Sequence, residues 1–147
     1  MTAETWFTIA NTAVLPAWAL LVFVPRWRPG VWLAGLAWPA ALSVLYATLF
    51  VLNLGAAEGG FGSLEGVGAL FANPWLLLVG WVHYLAFDLF VGAWETRDAR
   101  RCGLPHLAVV PCLALTFLAG PAGLLAYLLL RGLWKKRWAI EEAAAAS

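Results

Sequence analysis

The segment WLLLVGWVHYLAFDLFVGAW, residues 75–94, is the strongest indication of fold class in this 147-residue chain. It contains no lysine or arginine, and a helix of about 20 such residues is long enough to cross the hydrocarbon core of a bilayer. Its one acidic residue, Asp88, is a group that membrane insertion alone would disfavour. The stretch therefore predicts a transmembrane helix that holds a carboxyl group for a reason other than insertion.

Three further apolar runs flank this stretch in the sequence, at residues 6–24, 31–54 and 107–130. Each is about as long as a membrane-spanning helix requires. We therefore predict an all-α fold: an integral membrane bundle of four transmembrane helices, at about 6–24, 31–54, 75–96 and 106–131, which forms a single domain over residues 1–147.

The second connection, residues 55–74, is long and rich in glycine. Ser63 is a suitable N-cap for a short helix in which Leu64, Val67, Leu70 and Phe71 share one side. We expect a small amphipathic helix that lies on the membrane surface or folds over the bundle. The alternative is a simple connector.

The composition supports a membrane protein. Hydrophobic residues make up 63% of the chain and charged residues 12%, whereas soluble domains are about half apolar and about a quarter charged. A net charge of +1 gives no basic field for nucleic acid. The expected partner is the lipid bilayer, and the expected location is an integral, multi-pass membrane protein, in the inner membrane if the source is bacterial.

The orientation in the membrane is poorly determined by charge. If four helices cross, the first and third connections share a side with five basic residues, and the C-terminal tail brings four to the other side. The positive-inside rule is then nearly tied. Four crossings also place both ends of the chain on one side. Residues 134–138, which contain Trp134 and Trp138, are typical of an interfacial anchor.

Prolines and deep tryptophans mark irregular positions in the predicted helices. Pro16, Pro39, Pro111 and Pro121 each remove a backbone donor, and Gly120-Pro121-Ala122-Gly123 is the sharpest break, where another helix or a ligand can approach closely. Trp18, Trp38 and Trp81 lie deeper than the interfacial tryptophans. They could line a groove for a flat, ring-bearing ligand or could simply pack against neighbours.

The candidate chemistry centres on Asp88. Tyr84 precedes it by one helical turn, so its phenol can meet the carboxyl group. Glu95 and Asp98 follow along the same stripe, whereas His83 points about 140° away around the helix. The alternative role for Asp88 is a structural hydrogen bond to another helix.

A second candidate site lies at the membrane surface. His106 opens the fourth helix, and the short preceding loop should return it near Glu95 and Asp98. These three side chains have the oxygen and nitrogen donors that a divalent metal needs. The alternative is a salt-bridge cluster with Arg97, Arg100 or Arg101.

Several blocks of the sequence resemble the ABA4-like (abscisic-acid-deficient 4) family of membrane proteins. The resemblance covers nearly the whole chain, and its most specific part is WVHYLAFDLFVG at residues 81–92. It continues through Trp94-Glu95, Asp98, GLPH at 103–106, Pro111-Cys112 and LTFLAGPAG at 115–123. The earlier blocks LPAW at 15–18 and PRW at 25–27 also fit.

The resemblance implies a carotenoid- or isoprenoid-modifying membrane enzyme, since the plant member is implicated in forming neoxanthin from violaxanthin. That reaction isomerises an epoxide to an allenic alcohol and needs an acid and a base. The residues of the right types, which we take as candidate catalytic residues, are Asp88, His83, Tyr84, Glu95 and His106.

No nucleotide, flavin or haem motif is present, so no cofactor is expected, with a divalent metal at Glu95, Asp98 and His106 as the alternative. A carotenoid or other isoprenoid lipid is the expected ligand, and enzymes of the carotenoid pathway are candidate partners. Two other functions stay open: a non-catalytic carotenoid- or lipid-binding accessory subunit, and a small transporter. The two halves of the sequence lack corresponding broken segments, which are typical of transporters, and this counts against the transporter hypothesis.

Overall fold

The computed structural model describes residues 1–56 and 58–135, and within that part the chain is helical with no β-strand. Helix α1 covers Ala3–Phe23 and α2 covers Arg28–Trp32. A π-helical turn, Leu33–Ala37, joins α2 to α3, Trp38–Asn53, which ends in a 3₁₀ turn at Leu54–Ala56. Helices α4, Leu64–Ala72, α5, Pro74–Cys102, and α6, His106–Lys135, complete the chain.

Four of these helical segments are long and apolar enough to cross a membrane, as predicted. They are Ala3–Phe23, Arg28–Ala56, Pro74–Cys102 and His106–Trp134. The structure thus confirms an all-α fold with four segments long and apolar enough to cross a membrane and a short helix in the second connection. The predicted interfacial anchor at residues 134–138 lies mostly outside the described residues.

Helix α5 is the centre of the bundle, because α1, α3, α4 and α6 all pack against it. Small residues on α5 allow the close approach. A Cβ added at Gly92, on α5, would lie 2.7 Å from the ring of Trp18. A Cβ added at Gly35 would lie 2.9 Å from the Cβ of Ala93 on α5. Trp18 is therefore a packing residue. It also meets the ring of Phe117 edge-on, with centroids 5.4 Å apart.

The third long helix extends six residues beyond its predicted end at residue 96. Its charged end, with Arg97, Asp98, Arg100 and Arg101, stays helical to Cys102. The helix stops at Gly103, whose left-handed φ of 64° suits a C-terminal cap. The prediction placed the helix end where hydropathy falls, which is the end of the apolar segment. The helix itself ends at its C-terminal cap, six residues later.

The predicted amphipathic helix is present as α4. The Ser63 hydroxyl accepts a hydrogen bond from the backbone N–H of Gly66 at 3.0 Å, as expected for an N-cap. Leu70 is buried, and the ring of Phe71 lies against Gly80 of α5. Leu64 is exposed, so only the second half of the apolar side packs on the bundle.

Helix α6 is broken into two arms that fold back on each other. Ala119 (φ −152°, ψ 44°) and Gly120 (φ 7°, ψ −80°) leave the helical conformation between His106–Leu118 and Pro121–Lys135. A Cβ added at Gly123 would overlap the backbone of Thr116, although a straight helix would place these residues about 10 Å apart. The break that the sequence marked at residues 120–123 is therefore a full reversal.

Both arms run along the same half of α5. The first arm starts where the Leu104 N–H bonds to the Ala99 carbonyl at 2.8 Å. The second arm ends near the same level, where Arg131 Nε lies 2.7 Å from Asp98 Oδ2. We call this element the α6 hairpin, with its tip at Ala119–Gly120.

Candidate functional site

Asp88 lies at the tip of the α6 hairpin. Its side chain is 8% exposed, and a Cβ added at Gly120 would overlap its carboxyl group. Only a glycine at this position lets the backbone of the tip come so close. Among the residues that the structure describes, none donates a hydrogen bond to Asp88 Oδ2. A buried carboxyl oxygen without a partner is costly, and such groups mark places where a ligand or a water completes the site.

Tyr84 lies beside Asp88, one turn earlier on α5, as the spacing predicted. Its hydroxyl donates a hydrogen bond to the Phe117 carbonyl at 3.3 Å. This carbonyl is close to the helix break, where the regular backbone bonding of α6 ends. Tyr84 thus lies between Asp88 and an open space that borders the hairpin tip.

That space is a cavity of about 300 Å³ between α1 and α5, which we call the cleft. Asn11 and Trp81 form its polar spot, since the indole Nε1–H donates to Asn11 Oδ1 at 2.8 Å. The remaining lining is mostly apolar and includes Leu15, Leu85 and Leu118. The cleft therefore fits an apolar ligand that carries few polar groups.

Aromatic rings form a continuous row along the cleft. The ring of Trp81 lies 5.4 Å from that of Phe7 and 5.3 Å from that of Tyr84, between centroids. Trp81 also lines a larger space of about 1020 Å³ that reaches Thr2 and Glu4 at the amino-terminal end of the bundle. Of the deep tryptophans, Trp81 lines a groove. The indole Nε1–H of Trp38 instead donates a hydrogen bond to the Ala13 carbonyl at 2.7 Å, three residues before Pro16 in α1.

Glu95 lies two turns below Asp88 and is completely buried. The hydroxyl of Thr116, from the first arm of the hairpin, is 3.0 Å from Oε1 and 3.2 Å from Oε2 of Glu95. Because the arms cover this carboxyl group, it does not line the cleft. The arrangement fits a bond that holds the hairpin on α5.

Asp98 anchors the other arm. Its Oδ2 accepts a hydrogen bond from the Tyr127 hydroxyl at 2.6 Å and pairs with Arg131 Nε at 2.7 Å. All three side chains are buried. The salt bridge predicted with Arg97, Arg100 or Arg101 is instead made with Arg131.

The two histidines make their ring contacts outside the cleft. His83 stacks on Phe87 with centroids 4.5 Å apart and faces Tyr46 of α3, 5.7 Å away. The ring Nε2 of His106 lies 2.8 Å from the Val22 carbonyl of α1. Their side chains occupy other faces of the bundle, so the geometry gives neither of them a place in the cleft.

The predicted metal triad does not assemble. Within residues 1–56 and 58–135, no group of three His, Cys, Asp or Glu side chains is arranged to hold a metal ion. Glu95, Asp98 and His106 each bond to a different partner, respectively Thr116, Arg131 and the Val22 carbonyl. The expectation that His106 meets the two carboxyl groups was wrong, because both face the hairpin while His106 faces α1.

Sequence reasoning missed the partners that the hairpin supplies. Thr116, Tyr127 and Arg131 bond to the carboxyl groups of α5, yet none of them was a candidate. Tyr127 and Arg131 are four residues apart, which places them on one helical face. That spacing was the available signal for a polar face on the second arm.

The family model described as ABA DEFICIENT 4-like matches residues 5–127, which include α1, the cleft, Asp88 and most of the α6 hairpin. No curated protein and no solved structure matches the chain.

Proposed function

The chain belongs to the ABA DEFICIENT 4-like family, and we propose that it is a membrane-embedded enzyme that isomerises an isoprenoid lipid by acid–base chemistry at Asp88. The observation that carries the proposal is the buried Oδ2 of Asp88, to which no described residue donates a hydrogen bond in good geometry, beside Tyr84, a residue that lines the apolar cleft. The family resemblance suggests a xanthophyll epoxide as the substrate. Its conversion to an allenic alcohol resembles the formation of neoxanthin from violaxanthin.

The reaction needs one proton transfer to the epoxide oxygen of the substrate and one proton transfer from a carbon atom of the substrate. A protonated Asp88 transfers its proton to the epoxide oxygen as the C–O bond breaks, which yields a hydroxyl group. The carboxylate then removes the carbon-bound proton whose electron pair forms the new double bond of the allene. Asp88 ends protonated again, so the isomerisation needs no outside acid, base or oxidant.

Tyr84 has a positioning role in this scheme. Its hydroxyl, which now bonds to the Phe117 carbonyl, can turn to donate to the oxygen of the bound end group. Such a hydrogen bond would orient the oxygen toward Asp88 and stabilise the charge that develops on it. The proposal therefore uses Asp88 and Tyr84 and leaves His83, Glu95 and His106 outside the reaction.

The experiment is pigment analysis of a host that accumulates epoxidised xanthophylls. Expression of the wild-type chain should produce the allenic isomer, whereas Asp88→Asn should not. Conversion by the Asn variant at the wild-type rate would reject Asp88 as the acid. No new pigment with well-folded wild-type protein would reject the reaction itself.

A second candidate function is a non-catalytic carotenoid-binding subunit. It is favoured by one observation: apart from Tyr84, the residues that line the cleft in the described part of the chain carry no titratable group. Purified protein in nanodiscs distinguishes the two functions. A binding subunit retains the pigment unchanged, and its Asp88→Asn variant still binds it.

A further inference from the structure

The α6 hairpin covers only one half of α5. Its tip reaches Asp88 and Tyr84, and both arms lie between that level and Cys102. The other half of α5, from Pro74 to Tyr84, is about 15 Å long at ~1.5 Å per residue. The cleft and the larger space beside it lie along this uncovered half, where a crossing fourth helix would otherwise pack.

Basic residues mark one end of the bundle. Arg26 and Arg28 follow α1, and Arg100 Nη1 donates to the Pro25 carbonyl at 3.3 Å, which joins the last turn of α5 to the connection after α1. Arg131 is brought to the same end by its pairing with Asp98. The last basic residues, Lys135, Lys136 and Arg137, are the final residue of α6 and the two that follow it in the sequence.

The opposite end of the bundle carries acidic groups. Glu4 lies in the first turn of α1, and Glu58 and Glu65 lie in the second connection. Within the described residues, no lysine or arginine lies at this end. The near tie in the positive-inside count depended on a fourth crossing, and it disappears if α6 returns to the side from which it came.

We infer that the α6 hairpin is re-entrant, so that three segments of the described chain cross the membrane and the end of α6 lies on the side opposite to the start of α1. The basic end is then cytoplasmic by the positive-inside rule. The cleft is a binding site that opens sideways to the opposite leaflet, and it takes one elongated isoprenoid chain whose polar end group reaches Tyr84 and Asp88. The choice of ligand rests on the proposed function, whereas the topology does not.

The physical reason for a lateral opening is the shape of the site. The hairpin closes the cleft from the cytoplasmic side, and at its break the backbone of Gly120 is buried against Asp88, whereas Ala119 is exposed. On the other side the row of Phe7, Trp81 and Tyr84 leads from the amino-terminal end to Asp88. A lipid-soluble molecule therefore does not need to leave the bilayer to reach the carboxyl group.

The topology is tested by cysteine labelling. In a Cys102→Ala/Cys112→Ala background, single cysteines at Thr2, Glu65, Arg101 and Leu133 are reacted with a membrane-impermeant maleimide in vesicles of both orientations. We expect Thr2→Cys and Glu65→Cys to react from one side, and Arg101→Cys and Leu133→Cys from the other. Reaction of Leu133→Cys from the side of Thr2→Cys would show that α6 crosses, and would overturn the inference.

The lateral site is tested by photolabelling. A long-chain isoprenoid alcohol that carries a diazirine is incorporated in nanodiscs with the full chain, and the adducts are mapped by mass spectrometry. We expect adducts around Asn11, Trp81 and Leu118, and far fewer around Leu125 and Leu129, which are exposed on the second arm. Equal labelling of both surfaces would reject the cleft as a site. Because neither readout requires turnover, this failure is distinguishable from a failure of the isomerase proposal.

Discussion

Gly120 and Asp88 are in direct contact: the α-carbon at the tip of the α6 hairpin lies against the carboxyl group on α5, with no room for a Cβ between them. The pair joins the sharpest break in the sequence to the acidic residue inside the apolar run of α5. The carboxyl group of Asp88 requires polar surroundings, and the broken helix places polar backbone beside it instead of an apolar side chain.

Gly120→Ala should destabilise the protein. The added Cβ overlaps the carboxyl group of Asp88, so the tip must shift, and overpacking of this kind costs about 1–3 kcal/mol. Thermal unfolding in detergent measures the effect. Gly68→Ala is the matched control, because a Cβ at this exposed position of α4 meets nothing within 4 Å. Its melting temperature should stay constant or rise, since alanine favours a helix by up to ~1 kcal/mol over glycine.

Asp88→Asn should abolish conversion while folding is retained. The amide keeps the shape of the side chain but has no proton to transfer, and loss of a general acid lowers the rate by about 10²–10⁴-fold. Pigment conversion and detergent melting are measured on the same preparations. Glu95→Gln is the control, since it removes a buried carboxyl group from the same helix away from the cleft and should keep most of the activity. Equal loss in both variants would indicate a general effect on the bundle.

Arg131→Met should loosen the second arm of the hairpin. The substitution leaves the buried Asp98 carboxylate without its cation, which typically costs about 3–5 kcal/mol. The double variant Asp98→Leu/Arg131→Met removes both charges and should recover much of the lost stability. A double variant that is less stable than Arg131→Met would show that the ion pair is not the reason for the loss.

Leu118→Trp should block the cleft without harming the fold. Leu118 lines the cleft and is 72% exposed, so a larger ring there occupies the space of a ligand instead of the core. We expect weaker pigment binding and a higher KM, with unchanged melting. Leu125→Trp places the same ring on the exposed surface of the second arm and should bind pigment as the wild type does. Equal affinity of the two variants would place the ligand elsewhere.

The sequence predicted the helices and the position of Asp88 because both follow from hydropathy and helical spacing. It also marked Gly120-Pro121-Ala122-Gly123 as the point of close approach. It could not predict the reversal, since an apolar run of this length has the same hydropathy whether it crosses once or enters and returns. The partners of Glu95 and Asp98 depend on that reversal. For the same reason the prediction that His106 lies close to these carboxyl groups was wrong.

The pairing of Arg131 with Asp98 also sets an order of assembly during biosynthesis. Each charge alone would oppose insertion, by about 2.5–3.5 kcal/mol if it lay at the centre of a membrane helix. Asp98 is synthesised first, and its counter-charge emerges 33 residues later, at the end of the hairpin. The ion pair can therefore form only after the second arm has been synthesised. Assembly of the bundle is completed by its last described helix, after most of the chain has left the ribosome.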